Sequence, residues 1–380
     1  MNLDDDDVEA MVGAVRAFAG SELAPFAQER DEQKIFPVEA LARAGGLGLG
    51  GLYVGEEHGG IGLPRRVAVR IFEELARGDV AVAAYISIHN MAAAMIDAYA
   101  TEEVRAAWLP ELTAMTRLAS YCLTEPDAGS DAAAVRTSAR REGDEYVLDG
   151  VKQFISGAGS THAYVVMART GGPGPRGMSA FLVPGESEGL SFGANERKMG
   201  WNAQPTRQVV LDGVRVPASH LLGEEGQGFA IAMRGLDGGR LNIAACSLGG
   251  ASWAVERAVA HLRERVAFGR PLSEQQALQF RVADMETALE ASRCLLERAA
   301  GALDAGSSDA LKLCAMAKRF VTDECFDAAN AALQLHGGYG YLAEYGVERV
   351  VRDLRVHQIL EGTNEVMRVI ISRAVLERAA

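Results

Sequence analysis

The residues with the clearest chemical potential are one carboxylate and one polar loop. Glu361 follows Ile359 and Leu360 and precedes Gly362. A carboxylate shielded from water becomes a strong base, and an adjoining glycine lets backbone approach a ligand closely. By itself Glu361 reads equally as a glutamate opening the last helix, where it favours the helix dipole. The loop is Tyr121-Cys122-Leu123-Thr124-Glu125-Pro126-Asp127-Ala128-Gly129-Ser130-Asp131. Its hydroxyls, Pro-fixed turn and exposed glycine backbone can offer several donors to a polar, planar ligand. The same composition also suits an Asx-turn-rich loop that binds nothing.

Other patterns carry less chemistry. Gly46-Leu47-Gly48-Leu49-Gly50-Gly51 matches the dinucleotide pattern G-x-G-x-x-G, with Glu73 roughly 20 residues on. These glycines follow the helical stretch Pro37 to Ala44 and no strand, so they read as a helix C-cap and loop, and a classical nicotinamide-binding domain is disfavoured. His58 and His336 each precede a glycine pair and have no second ligand at metal spacing, so capping or packing is expected and no metal. No G-x-S-x-G element points to a serine hydrolase. Cys122, Cys246, Cys294, Cys314 and Cys325 are scattered, without a C-x-x-C pair, which suits a reducing cytoplasm better than a disulfide framework or zinc site.

Three blocks must position these residues. From Asp4 to about Thr116 apolar residues recur at helical spacing, and Asp4 to Asp7 read as an acid-rich first turn. From about Leu118 to Pro217 alternating β-branched and aromatic runs predict antiparallel strands in a sandwich or small barrel. Asp149-Gly150 and Asp212-Gly213 are each expected as a tight hairpin turn, and Gly171-Gly172-Pro173-Gly174-Pro175 as a loop between strands. After Gly223-Glu224-Glu225-Gly226-Gln227-Gly228, three or four long helices are expected to form a second bundle. The expected fold is therefore α+β and multidomain: an N-terminal helical domain over 1–117, a middle antiparallel β domain over 118–226 and a C-terminal helical domain over 227–380.

Composition agrees with this division. The chain has 380 residues, 48% hydrophobic and 23% charged, enough for two or three cores. Its formal charge of -13, from 51 acidic and 38 basic residues, disfavours nucleic acid and anionic lipid as partners. A phosphate-bearing ligand must then be held by local groups. Met1-Asn2-Leu3 and the four aspartates lack the cationic character of a leader, and each Ala- or Leu-rich run reads as interrupted by charge before membrane-spanning length. A soluble cytoplasmic protein is expected.

The loop 121–131 resembles the first signature of the acyl-CoA dehydrogenase family, flavoenzymes that oxidise acyl-CoA thioesters. The second signature has its counterpart in Gln334-Leu335-His336-Gly337-Gly338-Tyr339-Gly340-Tyr341, followed by Arg352-Asp353 and Ile359-Leu360-Glu361-Gly362-Thr363-Asn364-Glu365. The resemblance runs the length of the chain. Four further segments are similar to the branch acting on isobutyryl-CoA: Arg169 to Pro175, Gly200 to Arg207, Arg234 to Arg240, and Val356 to Gly362.

This resemblance implies an FAD enzyme in which Glu361 takes the α-proton of the thioester while the β-hydrogen leaves as hydride to the flavin. Some relatives carry the base at the position of Gly239, which cannot serve. Tyr121, Leu123, Thr124 and Phe154-Ile155-Ser156 are implied around the isoalloxazine, with Gly129 and Ser130 near flavin phosphate or substrate. Ser130, Asp237, Arg240, Leu360 and Gly362 are implied at the substrate. Arg265, Phe268, Gln276, Gln334, Leu335, Gly337 and Gly338 would reach the FAD of a neighbouring subunit, and Thr363 and Glu365 would complete the site after the base. That arrangement needs a homo-oligomer, expected as a tetramer built from two dimers.

Two departures stand out. Phe-Ile-Ser replaces the Trp-Ile-Thr of many relatives, and Asp127 stands where many have glycine, which alters flavin fit and loop geometry. The expected reaction is isobutyryl-CoA to methacrylyl-CoA, as in valine breakdown, with electrons passing to an electron-transfer flavoprotein. Alternatives are a butyryl-CoA or 2-methylbutyryl-CoA dehydrogenase, an acyl-CoA oxidase, or a catalytically silent acyl-CoA-binding scaffold.

Overall fold

Asp4 caps the first helix by accepting the Asp7 N–H at 2.8 Å, and Asp5, Asp6 and Asp7 fill its first turn. Acidic side chains there offset the unpaired amides of the helix start. The structure, a computed structural model, describes residues 4–377. Met1 to Leu3, the stretch in which no leader is expected, lie outside them, as do residues 378–380.

Among the described residues six α-helices precede the strands: α1 (Asp5–Phe18), α2 (Ala27–Gln33), α3 (Val38–Gly45), α4 (Arg65–Gly78), α5 (Val80–Tyr99) and α6 (Glu102–Thr113). The glycine run after α3 is a loop, as expected, and its purpose is close packing. A Cβ on Gly45 would lie 2.0 Å from the Ala114 carbonyl oxygen, and one on Gly51 2.7 Å from the Thr113 side chain. Helix α5 corrects the expectation that every apolar run is interrupted. Its first acid is Asp97, so by length and composition it could cross a membrane. Nearly all of it is buried against α4, α7 and β1, which makes it the central helix of the core.

The middle of the chain is one eight-stranded sheet of order β6-β7-β3-β2-β4-β5-β8, with β1 beside β4. Its strands are β1 (Ala119–Cys122), β2 (Ser138–Glu142), β3 (Glu145–Ser156), β4 (Ala163–Arg169), β5 (Met178–Pro184), β6 (Leu190–Phe192), β7 (Thr206–Pro217) and β8 (Leu221–Leu222). Two expectations change here. The sheet is mixed, because β1 runs parallel to β4, with Ala119 opposite Ala163. The two Asp-Gly pairs do not turn the chain; they lie inside β3 and β7, which pair antiparallel along their lengths. Leu148 faces Val214 and Gly150 faces Leu211, so the register shifts where the two pairs meet. Asp149 accepts the Gly213 N–H across this irregularity at 2.8 Å. A positive φ serves a bulge as well as a turn, and the bulge bends both strands together.

After β8 the chain returns to helices: α7 (Gly228–Glu264), α8 (Gln276–Asp304), α9 (Ala310–Leu335), α10 (Val347–Arg355) and α11 (Asn364–Leu376). A short hairpin of β9 (Val266–Ala267) and β10 (Arg270–Pro271) joins α7 to α8. Small residues let α7 sit close to its neighbours; a Cβ on Gly249 would lie 2.0 Å from the Glu73 carbonyl oxygen of α4. The observed order of helical, β and helical blocks is the one expected.

Candidate active site

Four elements converge on Glu361. The loop between α10 and α11 carries it, α7 supplies Asp237 and Arg240, α9 supplies Lys318, and β1 supplies Tyr121. Glu361 and Gly362 have successive positive φ angles of 57° and 85°. A left-handed glutamate is costly, so it persists only where surrounding contacts fix it. Here Arg240 Nε donates to the Glu361 carbonyl at 3.2 Å, and Lys318 Nζ donates to the Gly362 carbonyl at 2.9 Å. Thr363 then caps α11, accepting the Val366 N–H at 3.3 Å.

The carboxylate of Glu361 is enclosed, and burial pushes its pKa up to about 7 against the opposing pull of Arg240 and Lys318. Its Oε2 is buried without a hydrogen-bond partner among the described residues, and so is the hydroxyl of Tyr121. Oε2 lies 2.6 Å from where a Cβ on Gly239 would stand. The bare backbone of Gly239 thus makes room for the Glu361 carboxylate. Asp237 is taken up by a 2.5 Å ion pair with Arg240 and is not free to act as a base.

The expected flavin-facing loop is anchored from beneath. Fully buried Lys152 donates to the Leu123 carbonyl at 3.1 Å and pairs with Glu125 at 2.7 Å. Glu125 also accepts the N–H groups of Arg136 and Thr137. The Gln153 N–H donates to the Thr124 carbonyl at 2.8 Å, which sets Leu123 and Thr124 beside Phe154, Ile155 and Ser156. Ile155 is buried in the sheet core, and the Ser156 carbonyl accepts from the Ser120 hydroxyl. Phe154 is 63% exposed, in a left-handed conformation at φ 60°. Gly129 and Ser130 are exposed on the same loop, with Asp127 3.5 Å from Arg136.

The remaining expected flavin residues form a second group. Arg265 ends α7, Phe268 tops the β9–β10 hairpin with 94% exposure, and Gln276 opens α8. Gln334 and Leu335 end α9, and Gly337 and Gly338 follow with nothing near their missing side chains. Arg265 lies over the Tyr339 ring at 5.8 Å, and His261 stacks on His336 at 4.9 Å, which joins the two halves of this group. The rise along α7 from Arg240 to Arg265 is about 37 Å, and along α9 from Lys318 to Gln334 about 24 Å. Within one chain this second group therefore lies far along α7 and α9 from the residues that surround Glu361. Glu365 is exposed on the first turn of α11.

Lys318, Lys152 and Asn364 escaped the sequence reading. The signal for Lys318 was present, since it falls on the helix face defined by Cys314, Ala317, Val321 and Cys325, all buried. A charge on an apolar face is expensive to keep.

These residues fit a flavin dinucleotide. An exposed aromatic in strained backbone beside an anchored loop suits a planar ring system, and Arg265 with the open Gly337-Gly338 backbone suits its anionic end. The sequence decides the family: models of the N-terminal, middle and C-terminal domains of acyl-CoA dehydrogenases match residues 5–116, 120–214 and 226–376. The chain belongs to the acyl-CoA dehydrogenase family.

It is 53% identical over 360 residues to a mitochondrial isobutyryl-CoA dehydrogenase of Bos taurus, covering 95% of this chain and 86% of that one. Butyryl-CoA dehydrogenase of Megasphaera elsdenii is 37% identical, with a TM-score of 0.94 over 99% of each chain. A chain in a structure described as the electron transferring flavoprotein of Acidaminococcus fermentans is 39% identical, with a TM-score of 0.95 over 99% of each chain. As an acyl-CoA dehydrogenase this protein is an FAD-dependent oxidoreductase acting on acyl-CoA thioesters. Bound FAD supplies the acceptor for the hydride.

Proposed function

We propose that this acyl-CoA dehydrogenase converts isobutyryl-CoA to methacrylyl-CoA, with Glu361 as the base. The α-proton passes to the Glu361 carboxylate while its C–H electron pair becomes the new double bond, and the β-hydrogen leaves with its own pair, for which bound FAD would supply the acceptor. The observation that carries this assignment is the buried Glu361 carboxylate, with Oε2 unpaired and its proton affinity raised to about pH 7. A base whose pKa lies near working pH combines availability with driving force. Arg240 fixes the backbone of the base through the Glu361 carbonyl, and Asp237 in turn holds Arg240.

The substrate is the finer part of the proposal. It is supported by 53% identity to the bovine isobutyryl-CoA dehydrogenase and by Gly239, whose bare backbone admits the Glu361 carboxylate. One methylene changes discrimination by only about 1–3 kcal/mol, so butyryl-CoA and 2-methylbutyryl-CoA are the informative competitors. An electron-transfer flavoprotein is the proposed electron acceptor. A homotetramer of two dimers is the proposed assembly; the distance of the Arg265 and Gln334 group from the Glu361 site within one chain supports a contribution from a neighbouring subunit. We place the protein in the cytoplasm on the strength of its unpaired thiols.

Anaerobic titration of the purified protein with the three thioesters, followed by flavin absorbance, tests the substrate. Bleaching is expected to be fastest with isobutyryl-CoA; faster bleaching by another thioester removes that assignment. Peroxide release during turnover in air would convert the proposal to an oxidase, and a monomer that retains FAD would remove the oligomer.

A further inference from the structure

We propose that Lys318 is a positioning residue for Glu361, holding the turn that carries the carboxylate and supplying beside it a positive charge that has no direct ion-pair partner. The inference rests on Glu361 being the base.

Lys318 is fully buried on α9. An ammonium taken out of water is costly unless it is paired or fully hydrogen-bonded. Among the described residues no carboxylate lies within ion-pair distance of its Nζ; its partners are the Gly362 carbonyl at 2.9 Å and Asn364 Oδ1 at 2.8 Å. Asn364 cannot swing away, because its Nδ2 donates to Asp323 at 2.7 Å and to Thr322 Oγ1 at 3.0 Å. One end of the strained Glu361-Gly362 turn is thus tied to α7 through Arg240 and the other to α9 through Lys318.

The two cations differ in charge balance. Arg240 is neutralised by Asp237 in an ion pair on its own helix, whereas Lys318 is not. The charged groups around Glu361 are Arg240 and Asp237 from α7 and Lys318 from α9, with Asp323 one turn beyond and Glu365 on α11. The phenol of Tyr121 faces it from β1. Burial drives the Lys318 ammonium down to about 8 and the Glu361 carboxyl up to about 7. Without the lysine charge, the carboxyl would keep its proton to higher pH.

The test uses the holoenzyme with Lys318→Met, which removes charge and donors, and Lys318→Gln, which keeps an amide donor. Two readouts are followed against pH: the rate of flavin reduction by substrate, and the infrared C=O band of protonated Glu361, identified by its loss in Glu361→Gln. In both lysine variants the acid limb and the band's midpoint are expected to rise by at least about one pH unit, and the rate at neutral pH to fall at least about tenfold. Lys318→Gln is expected to regain most of its rate above the new midpoint, and Lys318→Met to regain less because the turn has lost its tie. A flavin-loaded variant with limb and band unmoved overturns the proposal, as does collapse of both variants, which would place Lys318 in the fold alone. Retained flavin reduction in Glu361→Gln would remove the base itself, a failure the infrared titration separates from failure of the positioning role.

Discussion

Lys152 and Lys318 are the two fully buried lysines among the described residues, and each donates to a carbonyl of a loop that carries site residues. Lys152 under the flavin loop has Glu125 at 2.7 Å. Burial raises the Glu125 carboxyl, but Lys152 and the N–H groups of Arg136 and Thr137 outweigh it and hold the group below its ordinary range. Among the described residues Glu361 has neither an ion pair nor a partner for Oε2, and burial prevails. The same two residue types therefore give opposite results. Contact makes a permanently charged strut, and separation makes a carboxylate that can accept a proton.

The largest effect should come from removing the free carboxylate. Glu361→Gln should lower the rate of flavin reduction by about 10²–10⁴-fold or more while leaving FAD bound and thermal stability close to that of the parent. Stopped-flow absorbance and a melting curve check both halves. Glu125→Gln should do the reverse. It strands a buried ammonium, at a cost of about 3–5 kcal/mol, and should appear first as lost stability and lost FAD in denaturant titration. If Glu125→Gln slowed hydride transfer with stability intact, the contrast between strut and base would fail.

Gly239→Ala sharpens the contrast from the other side. The new Cβ would lie 2.6 Å from Glu361 Oε2, so the carboxylate must move. A displacement of about 1 Å at a reacting group costs about 10²-fold, and the loss should fall on the reduction rate more than on substrate binding. Unchanged single-turnover kinetics would mean that Oε2 is not the reacting atom.

Much of this was legible in sequence because periodicity and motif residues are local. The helical blocks, Asp4 to Asp7 as a first helical turn and the loop after α3 all follow from neighbours in the chain. The Asp-Gly bulges were not legible, since a positive φ only becomes a bulge when β3 and β7 pair and bring Asp149 to Gly213. The membrane-length run of α5 carries no acid before Asp97, and its burial against α4 and α7 is a tertiary fact that composition does not show. Glu361 could be chosen from its motif, but its positive φ, its empty Oε2 and its dependence on a lysine 43 positions earlier arise from the packing of α7, α9 and the final loop.

Asp353 offers an intermediate case and the smallest effect. It accepts the Trp201 N–H and lies 3.6 Å from Arg349, yet burial still pushes it up to about 7, with Asp79 and Asp31 adding to the shift. Its folded-state pKa exceeds the ordinary carboxylate value, so the native protein holds a proton that the unfolded chain releases between about pH 4 and 7. Stability from this group is present at low pH and is lost as pH rises through about 7, with a slope of at most about 1.4 kcal/mol per pH unit. Asp353→Asn keeps an acceptor for Trp201 and removes the proton. Denaturant midpoints measured across that window should therefore decline less steeply with pH in the variant than in the parent. Parallel curves would mean that Arg349 alone holds Asp353 ionised, which would group it with Glu125 as a strut and leave Glu361 as the carboxyl that burial keeps protonatable.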